Sequence, residues 1–598
     1  MSFTIFGIHA FRGMRNDIKN RLPYYLADWT VDAWNYRIIP ATIYMYFANV
    51  LPAIAFALDM FSKTHSSYGV NEVLLASVLG ALLFSVFAGQ PLCIVGVTGP
   101  ISVFNYTVYE IITPRGTPYF AFMSWICLWS MVMHFAIAIA NGVKGLRYIT
   151  RFSCDIFGFY VAFIYLQKGI QVLTRQFGQS SDIEGFISIM VALLVLMFGY
   201  MCHLIGDNST LFWRPVRRFL ADYGTPLVVI FFTGFIHIGK LRNYAIQTLP
   251  TTASFHPTAS GTPARPHGWF IHFWDGISVG DVFLALPFAV LLTILFYFDH
   301  NVSSLICQGK EFPLKKPGAF HWDFFLLGLS TGIAGILGIP APNGLIPQAP
   351  FHTMSLCVHA DREKKEDDND DDNDNGRTKR RIKSVIEQRV SNFAHGLLIL
   401  GTMTGPLLIV LGLVPQAVLA GLFWIMGLTA LQGNGIVLKL YYLCQDRALT
   451  SRNEPLRRVR LASVYLFAGI ELVAFGCTFA TTQTIAAVGF PAILLLFAGL
   501  PTLLLPRIFD KDELNVLDEP TASDVTMAGV VMTGTNSNSS SSSSVVQVDV
   551  GNHLGPRQIM ELPEWHDVSV EQTCGTTQET VNKGRRRVSR SDNSLTGF

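Results

Sequence analysis

Charge is scarce in this chain. Only 14% of its 598 residues are Asp, Glu, Lys or Arg, where a soluble domain averages about 25%. Half of the residues are hydrophobic, and the mean hydropathy is +0.38. That balance excludes an ordinary soluble protein and makes a bilayer the solvent. Cysteine chemistry is missing too. The nine cysteines show no CxxC or HxxxH spacing, and Cys93, Cys127, Cys202 and Cys477 lie inside apolar runs. A zinc or disulfide framework is thereby excluded, and they read as reduced packing residues. HExxH is absent, and no Ser/His or Asp pair has a spacing that argues for catalysis, so neither an enzyme nor a metal or cofactor is expected. Arg12, Arg15, Lys19 and Arg21 are not followed by a cleavable apolar core, so no secretory signal is expected and the first spanning helix targets the chain. The net charge of +2 identifies no partner, and nothing points to nucleic acid.

What is present is a series of apolar runs. A spanning helix needs ~20 mostly apolar residues. Candidates in the first half are 38–58, 70–89, 99–113, 119–142, 155–174, 183–203 and 223–239. In the second half they are 280–300, 321–339, 343–358, 390–412, 416–434, 461–480 and 486–505. The runs from 99 and 343 are too short to cross as full helices, and each is third in its half. The expectation is an all-α polytopic fold of about fourteen spans, seven plus seven, with half-helices at spans 3 and 10. Seven is odd, so the two repeats must be inverted.

Basic residues give the orientation. With the N-terminus inside, the inner segments hold Arg12 to Arg21, Lys144, Arg147, Arg151, Arg214, Arg217, Arg218, Lys310, Lys315 and Lys316. They also hold the basic residues from Arg362 to Lys383 and from Lys439 to Arg460. The outer segments hold only Lys63, Arg115, Arg175, Lys240, Arg242 and Arg265. Both termini are expected in the cytoplasm. The division is a short N-terminal segment 1–34, a first repeat 35–240, an extracellular loop 241–277, a second repeat 278–505 and a disordered tail 506–598. The second repeat carries an acidic cytoplasmic insert, 361–383, and the tail includes the Ser539–Ser544 run. Insert and tail are too polar to support a packed core.

Two segments carry the function. Gln90-Pro91-Leu92-Cys93-Ile94-Val95-Gly96-Val97-Thr98-Gly99-Pro100 and Gly338-Ile339-Pro340-Ala341-Pro342-Asn343-Gly344-Leu345-Ile346-Pro347-Gln348 each break an apolar span with Gly and Pro. Irregular backbone at membrane depth survives only where protein or a wet cavity satisfies its polar groups. A matched pair, one in each half, is the mark of a midplane substrate site in a repeat-built transporter. A helix that starts there aims free N–H groups and its positive dipole end at the ligand. Thr98-Gly99-Pro100 suits one start, because Pro is favoured in the first turn. Asn343-Gly344 suits the other, followed by Pro347 and Gln348. Two merely kinked packing helices are the competing explanation.

Ionisable groups within spans are costly and by default functional. Asp299 ends an apolar run, Leu284 to Phe298, and shares a helical face with Ser303. It reads as a functional acid or as an interfacial helix-end carboxylate. Glu471 reads as packing or polar pairing between helices, Glu110 as interfacial, and Lys168 as free to snorkel outward.

Several runs resemble the anion-exchanger (bicarbonate transporter) family. They are Asp28-Trp29-Thr30, Tyr44-Met45-Tyr46-Phe47-Ala48, Pro52-Ala53-Ile54-Ala55-Phe56, and Gly89-Gln90-Pro91-Leu92 through Pro100. Phe298-Asp299-His300-Asn301-Val302-Ser303-Ser304, His321-Trp322-Asp323-Phe324-Phe325-Leu326-Leu327-Gly328 and Gly338 through Thr353 are similar to its borate-transporter branch, as in fungal-type boron efflux. The similarity spans roughly residues 20–510. It implies a core domain (spans 1–4 and 8–11), a gate domain (5–7 and 12–14), a homodimer, and electroneutral or proton-linked export of borate or boric acid. By this resemblance Thr98, Gly99, Pro100, Asn343, Gly344, Gln348 and Thr353 bind substrate, and Asp299 couples or gates. The plasma membrane is implied, with the vacuolar membrane as alternative. Animal exchangers carry a basic residue where Gln348 stands, so its loss favours a weak polyhydroxyl acid over chloride or bicarbonate. A bicarbonate or other inorganic-anion exchanger on the same fold is the rival. An anchor protein would not need the interrupted pair, and counter-transport would exclude a channel.

Overall fold

The computed structural model describes residues 4–526 except 6–7, 180, 209–210, 260–264, 360–381, 447–449, 451–453, 485–486, 488, 520 and 523–525. The chain divides into two units, Met1–Thr533 and Gly534–Phe598, and the second lies outside the described residues with most of the expected tail.

Lipid offers backbone groups no partner, so the apolar runs wind into helices that bond within themselves. Strands β1 (Thr4–Ile5) and β2 (Ile8–His9) precede the polar helices α1 (Arg12–Arg21) and α2 (Tyr25–Trp29). The first half continues with α3 (Ile38–Lys63), α4 (Val70–Phe87), β3 (Val95–Gly96), α5 (Gly99–Ile112), α6 (Tyr119–Ile139), α7 (Arg151–Gln179), α8 (Asp182–Asn208) and α9 (Arg214–Phe235). The second contains α10 (Val279–Cys307), α11 (Phe320–Leu337), β4 (Asn343–Gly344), α12 (Gln348–Ser355), β5 (Cys357–His359) and β6 (Ile382–Val385). It ends with α13 (Val390–Thr402), α14 (Gly405–Gly412), α15 (Gln416–Gln432), α16 (Gly435–Cys444), α17 (Leu461–Thr482), α18 (Phe490–Leu503), α19 (Leu505–Ile508) and α20 (Lys511–Leu517).

Among the described residues nine helices are long and apolar enough to cross a membrane. Two bent pairs, α13 with α14 at 82° and α15 with α16 at 69°, bring the number to eleven. The bends fall at Thr404 and Asn434, whose extended backbones cap α14 and α16. The shorter apolar Phe219–Phe235 in α9 and the short helices α5 and α12 lie within the three other apolar runs. Boundaries also move: α9 begins at Arg214 where the apolar run was expected to start at 223, and the end of α10 shifts as well. Helix α10 runs to Cys307, so Asp299 lies inside it rather than at its end.

The helices pack as two sets. In one, α6 lies against α10 and α11, α13 against α3 and α4, and α12 against α10 and α3. In the other, α15 packs on α7 and α8, α8 on α9, and α17 on α7, α16 and α18.

Polar residues lock the first set at one end. Asp17 Oδ2 accepts the His321 and Trp322 N–H groups at 2.8 and 3.0 Å, capping α11 from α1. Asp323 accepts the Gly89 and Gln90 N–H groups at 2.6 and 2.9 Å, which fixes the chain entering the first interrupted segment. Buried Asp28 holds Lys316 at 2.5 Å and Arg389 at 3.1 Å, so none of these charges is left alone.

Burial pushes the Asp17 carboxyl up to about 8 against its two N–H bonds, with the Asp323 charge adding to the rise. The folded state therefore keeps a proton that the unfolded chain loses near pH 4. Its contribution is complete below that pH and gone above about 8. Melting in detergent should fall from pH 5 to 8 by at most about 1.4 kcal/mol per unit from this group. Asp17→Asn should flatten that slope, and an unchanged profile would remove Asp17 as its source.

The acidic insert lies almost wholly outside the described residues, but its ends are fixed. Ile382 and Lys383, expected within it, belong to β6, which pairs antiparallel with β5 and joins His359 to Ile382. A short Gly-rich turn closes such a hairpin. Replacing 360–381 by one should leave flux within about twofold, because the pairing of β5 with β6 already holds the two ends together. A much larger loss with folded protein would give the insert a place in the transport cycle.

The expected start of the tail at 506 also moves. Helices α19 (Leu505–Ile508) and α20 (Lys511–Leu517) form there, because Leu505, Phe509 and Leu517 bury themselves in an apolar cluster with Phe152 and Phe467.

Candidate substrate site

The two interrupted segments meet. β3 pairs antiparallel with β4, Val95 opposite Gly344 and Gly96 opposite Asn343, and Leu345 N–H donates to the Ile94 carbonyl at 2.9 Å. Each segment is thus a strand leading into a helix, not a kink in a continuous one. Gly344 is required by space: a Cβ there would stand 3.0 Å from the His300 Cα and the Ser303 Cβ of α10. Gly99 is similarly tight, its absent Cβ lying 3.2 Å from Ile164 and Phe56.

Thr98 caps α5, its Oγ1 accepting the Ile101 N–H at 3.4 Å, with Pro100 in the first turn. Helix α12 begins at Gln348 without a side-chain cap. Asp299 of α10 is buried between these starts. Its Oδ2 accepts Asn343 Nδ2 at 2.9 Å and Thr98 Oγ1 at 3.5 Å. Asn343 Oδ1 in turn accepts the Gly344 N–H at 2.8 Å. Gln348 Nε2 donates to the Ala48 carbonyl at 3.2 Å and to Tyr165 Oη at 3.4 Å, while its buried Oε1 has no protein partner. The structure therefore brings Thr98, Gly99, Pro100, Asn343, Gly344 and Asp299 together, with Gln348 at the second helix start. Thr353 stays apart. Its hydroxyl is spent on the Cys307 carbonyl at 3.0 Å and the Ala349 carbonyl at 3.3 Å.

Other polar groups around the crossing were not expected. Asn49 bonds His395 at 3.0 Å, Asn392 reaches the Pro91 carbonyl at 3.1 Å, and His352 bridges the Leu92 carbonyl and Ser391 at 2.9 and 2.6 Å. Their signal was the presence of Asn and His inside apolar helices, where each needs a partner. Tyr165 reaches Gln348 from the other helix set.

On the side expected to face outward, a cavity of about 260 Å³ opens between α5 and α7. Lys63, Tyr106, Glu110, Lys168 and Gln483 line it, and Glu110 is exposed. Ile164 lines it too and separates it from Gly99. Lys168 does not snorkel. It is buried against Asp59 at 2.5 Å, and Arg175 holds the other Asp59 oxygen at 2.6 Å. The expected span closed at 58, one residue short of this acid. Glu471 pairs within the second helix set, accepting Lys439 at 2.6 Å. Among the described residues His267, His272 and Asp275 are the group whose donor atoms come closest to a metal set. They are largely exposed, lie up to 4.8 Å apart, and already contain a His272–Asp275 pair at 3.1 Å.

The family model described as "HCO3- transporter integral membrane domain" matches residues 9–184 and 179–522. The chain belongs to this family. It is a polytopic membrane transporter and not an enzyme. A Schizosaccharomyces pombe protein whose name calls it a transporter is 56% identical over 84% of this chain and 95% of its own length. Boron transporter 1 of Saccharomyces cerevisiae is 49% identical over 87% of each chain. Boron transporter 4 of Arabidopsis thaliana is 26% identical over 85% of this chain and 87% of its own. These similarities place the chain in the branch of the family that contains the boron transporters.

Proposed function

We propose that this transporter exports boric acid or borate across the plasma membrane by alternating access. One observation carries the reading. The two helix starts converge on Asp299, whose partners are the neutral Thr98 and Asn343, and Gln348 beside them offers an amide in place of a fixed cation. Amide groups and helix N-termini suit a hydroxyl-rich weak acid. A carboxylate with only neutral partners is placed to hold a coupling proton. The likeness to the Saccharomyces boron transporter supports the same substrate.

In this reading the set containing α3–α6 and α10–α14 is the core, and the set containing α7–α9 and α15–α18 is the gate. The chain crosses fourteen times as two inverted repeats, with both termini cytoplasmic and the protein a homodimer. Asp299 and the helix starts ride with the core, while Ile164 and Tyr165 close over them from the gate. Asp59 with Lys168 and Arg175 ties core to gate on the outer side. Flux in proteoliposomes with borate, bicarbonate and chloride, each with and without a pH gradient, tests it. Borate flux driven by the gradient is expected. Exchange of bicarbonate or chloride in preference to borate would replace the proposal with its rival.

A further inference from the structure

The segment that follows α18 reaches across both helix sets. On the second set its anchors are strong. Glu513 accepts Arg460 Nε at 2.6 Å, Arg460 Nη2 at 3.1 Å and Ser463 Oγ at 2.9 Å, at the start of α17. Asp518 Oδ1 accepts the Phe152 N–H at 2.7 Å and so satisfies a free donor in the first turn of α7. Leu517 is buried in the same apolar cluster as Phe152.

A few residues on, the chain reaches the other side, while Glu519 still pairs with Arg151 of α7 at 4.0 Å and Thr521 Oγ1 still donates to Cys154 Sγ of α7 at 3.8 Å. The Thr521 carbonyl accepts the Lys310 N–H at 3.3 Å, Ala522 forms an antiparallel bridge with Gly309, and Glu519 pairs with Lys310 at 3.1 Å. Ala522 is buried in the large apolar cluster that includes Phe296, Phe298 and Val302 of α10. Gly309 and Lys310 directly follow α10, the helix that carries Asp299. Leu517 and Ala522 therefore belong to two different apolar clusters although only a few residues separate them.

We propose that the stretch from α20 to Ala522 is a strap that ties the two helix sets together and releases at Gly309 and Lys310 when they move. This rests on the reading that core moves against gate. The unequal anchors decide which end lets go. Glu513, 9% exposed, is held bidentately by a 68% exposed Arg460, and buried Leu517 contributes a larger apolar side chain than buried Ala522, whereas both members of the Lys310–Glu519 pair are exposed, at 39% and 51%. An exposed pair of that kind adds little. The strap stays with α7 and α17, and its grip on α10 is the weak, salt-sensitive end. Its place among the basic segments puts it on the cytoplasmic side.

The test uses the full chain in proteoliposomes. Cα atoms of bridged antiparallel residues lie about 4.5–5.5 Å apart, within disulfide reach. Oxidised Gly309→Cys/Ala522→Cys should lose borate flux by about tenfold or more, with reductant restoring it and neither single variant responding. A cross-linked protein that transports at the reduced rate would overturn the strap. A second arm is independent of substrate. Glu519→Lys sets like charges together, so hydrogen exchange at 309–312 should rise, and Lys310→Glu/Glu519→Lys should restore protection there. Unmoved exchange in Glu519→Lys would equally overturn the strap. If the reduced protein carries no borate, the functional reading fails, and the exchange arm still decides whether the strap exists.

Discussion

Asp299→Asn is expected to abolish coupled borate flux while leaving the protein folded. The amide keeps an oxygen where Asn343 Nδ2 donates at 2.9 Å, so the hydrogen bond across the crossing survives. What disappears is the charge and the group able to hold a proton. General acid–base groups of this kind contribute about 10²–10⁴-fold where they act, and the loss of flux should fall in that range. Asp299→Ala separates this from a structural role. It leaves the Asn343 amide and the Thr98 hydroxyl unpaired in a buried site, at a cost of about 1–3 kcal/mol each. The alanine variant should therefore melt lower than wild type and the asparagine variant should not. Proteoliposome flux and thermal melts in detergent read the two effects apart. Wild-type flux in Asp299→Asn would reduce the residue to a strut between the helix starts.

The helices were legible because the bilayer imposes one rule, about twenty apolar residues with internally bonded backbone. Each of the fourteen expected apolar segments contains a helix. The two Gly/Pro interruptions were legible for the same reason, since broken backbone in lipid must find a partner. Their partner was not legible. Pairing of Val95 with Gly344 joins residues about 250 positions apart, and neither periodicity nor composition encodes such a register. Ends of elements were least secure. Asp299 stood at the edge of an apolar run, yet α10 continues through His300, Asn301, Ser303 and Ser304: Asn301 Nδ2, Ser303 Oγ and Ser304 Oγ find hydrogen-bond partners, and the His300 ring packs edge-on against Phe84. The burial of Lys168 was missed because its partner Asp59 lay one residue outside the expected span. Thr353 shows the opposite error: a hydroxyl near a site points wherever the nearest free carbonyl lies, here to Cys307.

Gln348 carries the selectivity argument and its most demanding test. Its Nε2 is held by the Ala48 carbonyl and by Tyr165, which leaves Oε1 buried without a protein partner at the start of α12. An orphan acceptor in a buried place asks for a donor from outside the protein. A hydroxyl of boric acid supplies one; chloride has none to offer, and bicarbonate has a single hydroxyl where boric acid has three. Removing the acceptor leaves the boric acid hydroxyl unpaired in a buried site, at a cost of about 1–3 kcal/mol. Gln348→Ala should therefore weaken borate handling by about one to two orders of magnitude. Tyr165→Phe removes only a bond that orients the amide and should cost less than about tenfold. Gln348→Arg replaces the free acceptor by donors and a fixed charge, which penalises the hydroxyl donor and rewards a small anion. The ratio of borate to bicarbonate initial rates should then fall by about tenfold or more, as expected for one buried polar group left without its complement. If Gln348→Ala moves borate at the normal rate, the residue only packs between α12 and α3. The preference for boron over bicarbonate would then have to come from elsewhere around the crossing.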